Sequence, residues 1–273
     1  MKKIGILFLG LISAFSFSQN TRFVYQVSMK TDSTAAPKIE NAYLDISTEK
    51  SIFYGEKRMK RDSTIRLAMQ TRNFNFDRNS MEQFRTAITY SIEKNHATKT
   101  ISYKDRIARD QYWYDEDRTF NWKILPETVK IGEYETQKAE TTFAGRKWFA
   151  WFTQDLPFID GPYKFSGLPG LIVKVEDEKG DYSFDLKETK KIAELPNFES
   201  RFGNNIKVKR SEFLKQQEKF NKDPMSFFQN QGGGFAMRMG GNQNPQNEAE
   251  RRKMMEERLK EEAKANNNPL EKN

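Results

Sequence analysis

The chain has no cysteine and only one histidine in 273 residues. The first absence excludes disulfide scaffolds, Cys-ligated zinc or iron–sulfur sites and thiol chemistry. The second leaves His96 as the sole imidazole for proton transfer or metal binding. Hydrophobic residues are also scarce, at 36% against the roughly 45–50% of an average globular chain. A phosphate-binding glycine loop, a Gly-x-Ser-x-Gly elbow and a His-Glu-x-x-His helix are missing as well. In surplus are aromatic side chains, 13% of residues with 22 Phe, and basic charge, 46 Lys plus Arg against 38 Asp plus Glu. One medium domain with an aromatic core, and a polar segment outside it, is the expectation.

Met1-Lys2-Lys3 precedes the apolar run Ile4 to Phe17, and Ser16-Phe17-Ser18 follows before polar Gln19. That order reads as a secretory signal peptide over residues 1–18, and the run is shorter than the ~20 residues of a spanning helix. The mature chain is expected to be exported, periplasmic or extracellular, with no transmembrane span. The polar Asn- and Lys-rich end argues against an outer-membrane barrel. Residues 203–273 hold 14 Lys/Arg against 10 Asp/Glu, so much of the basic excess lies outside residues 19–202. Nucleic acid is not an expected partner.

Period-two alternation dominates the first two hundred residues. Phe23, Tyr25, Val27 and Met29 face one way and Arg22, Gln26, Ser28 and Lys30 the other, as in a half-buried strand. The pattern returns at Ala42 to Tyr54, broken by the turn Ser47 to Lys50, at Thr86 to Ile92 with a return through Ile101 and Tyr103, at Phe120 to Ile124, and at Val129 to Thr142. Arg146 to Thr153 carries rings on both faces and reads as buried on both sides. Leu171 to Val175, Asp177 to Asp181 and Tyr182 to Leu186 form a hairpin with Gly180 at its left-handed position. Residues 57–84 lack alternation and are read as holding a short helix. The fold expected is mainly β, an antiparallel meander forming an open half-barrel or curved sheet, with a helical or disordered C-terminal tail. That tail, 226–273, joins a Gly/Asn/Gln-rich linker to a charged helix over Glu248 to Ala265, and a short amphipathic helix at Ser211 to Asn221 precedes it.

The least ordinary segment runs from Asp160 through Gly161-Pro162 to Gly167-Leu168-Pro169-Gly170-Leu171-Ile172. Pro169 fixes its own φ and Gly170 accepts a positive one, so Leu168 to Leu171 fits a type II turn feeding a strand. This string resembles the GLPGLI family, an exported Bacteroidota family named for that hexapeptide. The resemblance extends through Trp122-Lys123-Ile124, Gly145-Arg146, Ala150-Trp151-Phe152-Thr153 and Leu156-Pro157, and covers roughly residues 20 to 225. It implies a domain over 19–225, mostly β, periplasmic or at the cell surface, often encoded near TonB-dependent outer-membrane transport proteins, and without an established activity. Thr136 stands where many members have Cys, which removes any thiol role there.

The candidate motif residues are Gly161, Pro162, Gly167, Leu168, Pro169, Gly170, Leu171, Ile172 and Trp151. The hexapeptide offers only apolar groups and backbone, so its first reading is geometric. His96 falls in a polar turn, where exposure disfavours general-base work. Asp155 and Asp160 flank Leu156-Pro157 and form an acid/base pair only if the loop folds back, which is the basis of an alternative, carboxylate-dependent hydrolase. Met225, Met237, Met239, Met254 and Met255 are soft ligands with loose spacing, the basis of a second alternative in Cu(I) handling. The leading expectation is a binding protein and not an enzyme, with no catalytic residue, metal or cofactor, whose aromatic sheet meets an apolar ligand or an outer-membrane transport partner.

Overall fold

The computed structural model describes residues 20–73, 83–198, 203–224, 226–227 and 245–272. The expected signal peptide over 1–18 and most of the glycine-rich linker lie outside the described residues, as do Met225, Met237 and Met239. One twelve-stranded sheet organises the chain. Its N-terminal meander comprises β1 (Asn20–Met29), β2 (Lys38–Ile46), β3 (Lys50–Gly55), β4 (Ser91–Asn95), β5 (Ile101–Ile107) and β6 (Asp110–Asp115). Its C-terminal meander comprises β7 (Lys123–Ile131), β8 (Tyr134–Phe143), β9 (Arg146–Thr153), β10 (Leu171–Asp177) and β11 (Tyr182–Ile192). A long antiparallel pairing of β1 with β11, from Asn20↔Ile192 to Met29↔Tyr182, joins the two meanders. The three-residue β12 (Asn205–Lys207) adds to the edge in parallel with β6.

The connection from β6 to β7 dictates the curvature. In the order β12-β6-β5-β4-β3-β2-β1-β11-β10-β9-β8-β7, these two strands lie at opposite ends of the sheet. A flat sheet would separate them by about 48 Å, ten inter-strand spacings of roughly 4.8 Å. The chain from Asp115 to Lys123 reaches at most about 28 Å when fully extended. The sheet therefore curls through about half a turn, and residues 116–122 cross its open mouth. It stays open, as the expected half-barrel or curved sheet.

Inside the concavity lie Phe23, Tyr25, Val27, Leu44, Phe53, Trp148, Phe152, Val175 and Phe184, all at most 1% exposed. The core is completed by the loop between β9 and β10, which folds back under the sheet. Phe165 sits at its centre, with Phe120, Trp122, Phe143, Trp148, Tyr163 and Phe184 around it at ring centroid distances of 4.8–6.3 Å. Much of the aromatic surplus is thus used in packing this loop.

Several strand-level expectations need correction. Phe120 and Trp122 belong to the crossing segment and not to a strand, and Thr86 and Ile88 belong to the loop before β4. Both stretches alternate because every second side chain points into the concavity. β9 is buried on one face only. Trp148, Ala150 and Phe152 point inward, whereas Phe149 and Trp151 are half-exposed on the outer face under the Lys138, Lys147 and Lys174 ammonium groups. The expected short helix is the sixteen-residue α1 (Glu56–Thr71). α2 (Arg210–Lys222) packs Phe213 against Tyr103 and Tyr114. α3 (Pro245–Lys264) is a charged helix with a Glu256–Lys260 ion pair.

Beyond α3 the chain departs from a solvated tail. Residues 266–272 return to the sheet as a strap. Asn268 donates to the Lys30 carbonyl, its backbone N–H donates to Thr31 O, and its own carbonyl accepts from the Tyr182 hydroxyl. Arg146, buried over the Tyr182 ring and paired with Asp177 at 2.7 Å, donates to Asn268 Oδ1 and to the Pro269 and Leu270 carbonyls.

Candidate functional site

The β9–β10 loop is held at two points by buried lysines. Lys94, on β4, donates to Asp160 Oδ1 at 2.5 Å and to the Gly161 and Phe165 carbonyls. Burial lowers the Lys94 pKa, with Asp160 opposing the shift. Burial is the largest influence on the Asp160 carboxylate and acts against it, but the Lys94 charge together with His96 and Ser51 outweighs it and holds Asp160 below the usual carboxylate range. His96 Nδ1 lies 3.2 Å from the Thr48 carbonyl, and Nε2 lies 3.9 Å from Asp160 Oδ2. Asp160 Oδ2 and the nearby Ser51 Oγ, both buried, have no hydrogen-bond partner among the described residues.

The second anchor is Lys164, which is fully buried. Its ammonium meets Glu116 and Glu271 at 2.6 Å each and donates to the Tyr114 hydroxyl at 3.0 Å. Arg118 pairs with the same two carboxylates, closing a network of two cations and two anions. Burial opposes ionisation of Glu116, yet Arg118 and Lys164 together bring its pKa down to about 2. Glu271 belongs to the strap, so this network ties the loop, the crossing segment and the chain's last described turn together.

The hexapeptide does geometric work between these anchors. Leu168, Leu171 and Ile172 are buried, and Tyr25 donates its hydroxyl hydrogen bond to the Ile172 carbonyl. Gly170 has φ +149°, and a Cβ there would stand 2.0 Å from the Thr153 carbonyl oxygen. The turn is tighter than the expected type II: Gly170 N–H donates to Leu168 O, and Leu171 N–H donates to Leu156 O. Gly167 has φ +93° with open space around it, Pro169 is exposed, and Gly161 and Pro162 are buried, Gly161 against Ile172. Tyr163 takes a left-handed φ of +54°, a strained value for an aromatic residue, and its ring stands 5.9 Å from that of Phe165. Trp151 lies on the outer face of β9, away from all of these.

Asp155 is exposed, while Asp160 is buried and committed to Lys94, which argues against the alternative acid/base pair. Met254 is exposed, and no cluster of metal-ligating His or acidic side chains occurs among the described residues.

Where the concavity is not filled, a cavity of ≈ 520 Å³ remains between the sheet, α2 and the strap. Tyr90, Tyr103, Tyr114, Tyr163, Tyr182 and Phe213 supply its rings; Thr89, Asp105, Lys215, Glu218 and Glu271 supply polar groups, and Pro269 and Leu270 of the strap close one side. Its geometry follows from register. Tyr103 and Tyr114 are directly opposed on β5 and β6, and Tyr103 faces Ile92, two residues beyond Tyr90 on the same side of the chain. The three rings stack in series, Tyr90–Tyr103 and Tyr103–Tyr114 both at 5.2 Å. Burial pushes the phenol pKa of Tyr90, Tyr103, Tyr114 and Tyr163 upward, and that of Tyr182 to about 12. These phenols stay protonated at neutral pH; Tyr163 donates to Glu271 and Tyr182 to the Asn268 carbonyl. Of the motif-loop residues, Tyr163 lines this cavity and the hexapeptide does not. The alternating rings were legible in sequence; their convergence on one cavity was not.

Residues 141–174, from the end of β8 through the loop into β10, match a family described as "Protein of unknown function (Porph_ging)". No curated protein matches the chain. Two solved structures of PNGF-II, in P21 and C2 crystal forms, share the fold at 18% and 17% identity, with TM-scores of 0.51 and 0.52. The match covers 72% and 74% of this chain but only 33% of each PNGF-II chain, so this chain spans about a third of theirs. A LolA superfamily protein from Nitrosomonas europaea matches over 66% of this chain and 88% of its own, at 10% identity and a TM-score of 0.28.

Proposed function

We propose that this chain is an exported binding module of the GLPGLI type that holds a small ligand with an apolar or aromatic face. The observation that carries this reading is the tyrosine-lined cavity of ≈ 520 Å³, within the size range of small-molecule sites and lined by rings with a few placed polar groups. In this reading the module binds without turnover, with Asp160, Glu116 and Glu271 each engaged by lysine or arginine. Export rests on the reading of residues 1–18, and no helix among the described residues is long and apolar enough to cross a membrane.

Fluorescence titration with the neutral probe N-phenyl-1-naphthylamine tests this. One probe is expected per chain, lost in Ala87→Trp, whose new side chain fills the cavity from its wall. Equal binding by the parent and by a folded Ala87→Trp variant overturns the reading.

A further inference from the structure

We infer that the cavity selects a small organic cation, a quaternary or protonated amine joined to a flat apolar group, with Asp105 as its counter-ion. The inference rests on the binding reading above and names its ligand class. Asp105 is 7% exposed and lines the cavity. It accepts from Thr89 Oγ1 at 3.0 Å and from the Arg106 backbone N–H at 2.7 Å, and the Tyr103 hydroxyl lies 3.5 Å away. It makes no ion pair among the described residues. Arg58 and Arg61 act on it electrostatically, but the carboxylate each pairs with is Asp62. A buried carboxylate in that position is costly unless a cation meets it or it takes up a proton.

The other carboxylates on the wall are already compensated, and the wall's cation, Lys215, is exposed on α2. Glu271 is neutralised by Lys164 and Arg118, and Glu218 by Lys222. That leaves Asp105 as the carboxylate on the wall awaiting a positive partner, inside a chain of net charge +8.

The rings supply the second half of the argument. Aromatic faces attract a cation within about 6 Å of the ring centroid, more strongly when water is excluded. This cluster demonstrates that chemistry with the protein's own side chain: the Lys164 ammonium stands 5.1 Å from Tyr103, 5.1 Å from Tyr114 and 5.4 Å from Tyr163. All three rings also border the cavity, and Tyr90 stacks on Tyr103, which shares β5 with Asp105. The Tyr90 hydroxyl makes no hydrogen bond among the described residues. An anionic ligand would meet both a carboxylate and electron-rich ring faces, and is disfavoured on both counts.

The test compares two near-isosteres by displacement of the naphthylamine probe: (4-hydroxyphenyl)trimethylammonium, which carries the charge, and 4-tert-butylphenol, which does not. The ammonium compound is expected to bind at least about tenfold more tightly. Asp105→Asn should abolish that preference, bringing the affinity of the ammonium compound down to that of the phenol. Tyr90→Leu, which keeps the carboxylate and removes one ring, should weaken the ammonium compound more than the phenol. Equal affinities for the two compounds in the parent protein overturn the cation inference while the cavity reading stands, a comparison that needs no variant to fold. Failure of the ammonium compound, the phenol and the naphthylamine probe alike overturns both.

Discussion

Lys94 and Lys164 are both buried and both grip the β9–β10 loop, yet they are solved differently. Lys94 meets one carboxylate and two backbone carbonyls, and burial leaves its pKa depressed. Lys164 meets two carboxylates, each also held by Arg118, and Glu116 is driven down to about 2. The first arrangement fixes a loop to the adjacent strand β4. The second joins segments more than a hundred residues apart, with Glu271 arriving from the strap. A local anchor is the one the folded loop cannot lose, whereas the network, with redundant partners, tolerates the loss of one member better.

The largest effects are expected at the local anchor and at the turn beside it. Gly170→Val places a β-branched side chain at φ +149° and against the Thr153 carbonyl, so both the dihedral and the space are wrong. Urea denaturation should show a loss of about 4 kcal/mol or more, or no folded protein. Leu168→Ala removes a buried side chain and should cost about 2–4 kcal/mol. A milder Gly170→Val than Leu168→Ala would break the turn argument. Lys94→Met leaves Asp160 buried without its ammonium and should cost about 3–5 kcal/mol, and Lys94→Met with Asp160→Leu should recover much of that.

At the network the effect is smaller and differently distributed. Glu271→Gln retains Glu116 for both cations, so about 1–2 kcal/mol is expected. Its sharper signature is acid sensitivity. The folded Glu116 and Glu271 have pKa values below their unfolded ones, so their stabilisation is full above about pH 4.5 and is lost as pH falls through the folded values, for Glu116 about 2. The Glu271→Gln variant should show a shallower decline of stability across that window. An unchanged acid limb would mean that the strap contributes no ionic coupling.

The difference between the anchors also explains what could be read in the sequence. Strands were legible because alternation records one wet and one dry face, as at Phe23, Tyr25 and Val27. The same signal misassigned Phe120 and Trp122, since a crossing segment over a concavity alternates too. The loop's punctuation, Gly167 to Gly170, announced a special backbone. Nothing local announced that Lys94 and Lys164 would be buried, because lysine is ordinarily a surface residue and the acids that hold them lie 48 to 107 residues away. The strap was hidden for the same reason: Asn266 to Leu270 has the composition of a solvated end, and its partners Arg146 and Tyr182 are remote in sequence. Asp105 gave no signal, since a lone Asp on a strand is usually an exposed one.

The smallest effect separates the two lysine sites by pH from the opposite direction. His96 sits over the Lys94 anchor, with no counterpart at Lys164, and the adjacent Asp160 carboxylate raises its pKa above the ordinary imidazole value. A raised folded pKa means stabilisation that is fully present below about pH 6.5 and is lost as pH rises through the folded value. The ring is 36% exposed and 3.9 Å from Asp160 Oδ2, so solvent screening keeps the contribution under about 1 kcal/mol. Thermal melts between pH 5 and 9 should show a slight fall in Tm through this range that His96→Gln removes, while Glu271→Gln leaves it in place. If His96→Gln leaves the slope untouched, the imidazolium does not serve the unsatisfied Asp160 oxygen, and Lys94 alone sets the charge of that anchor.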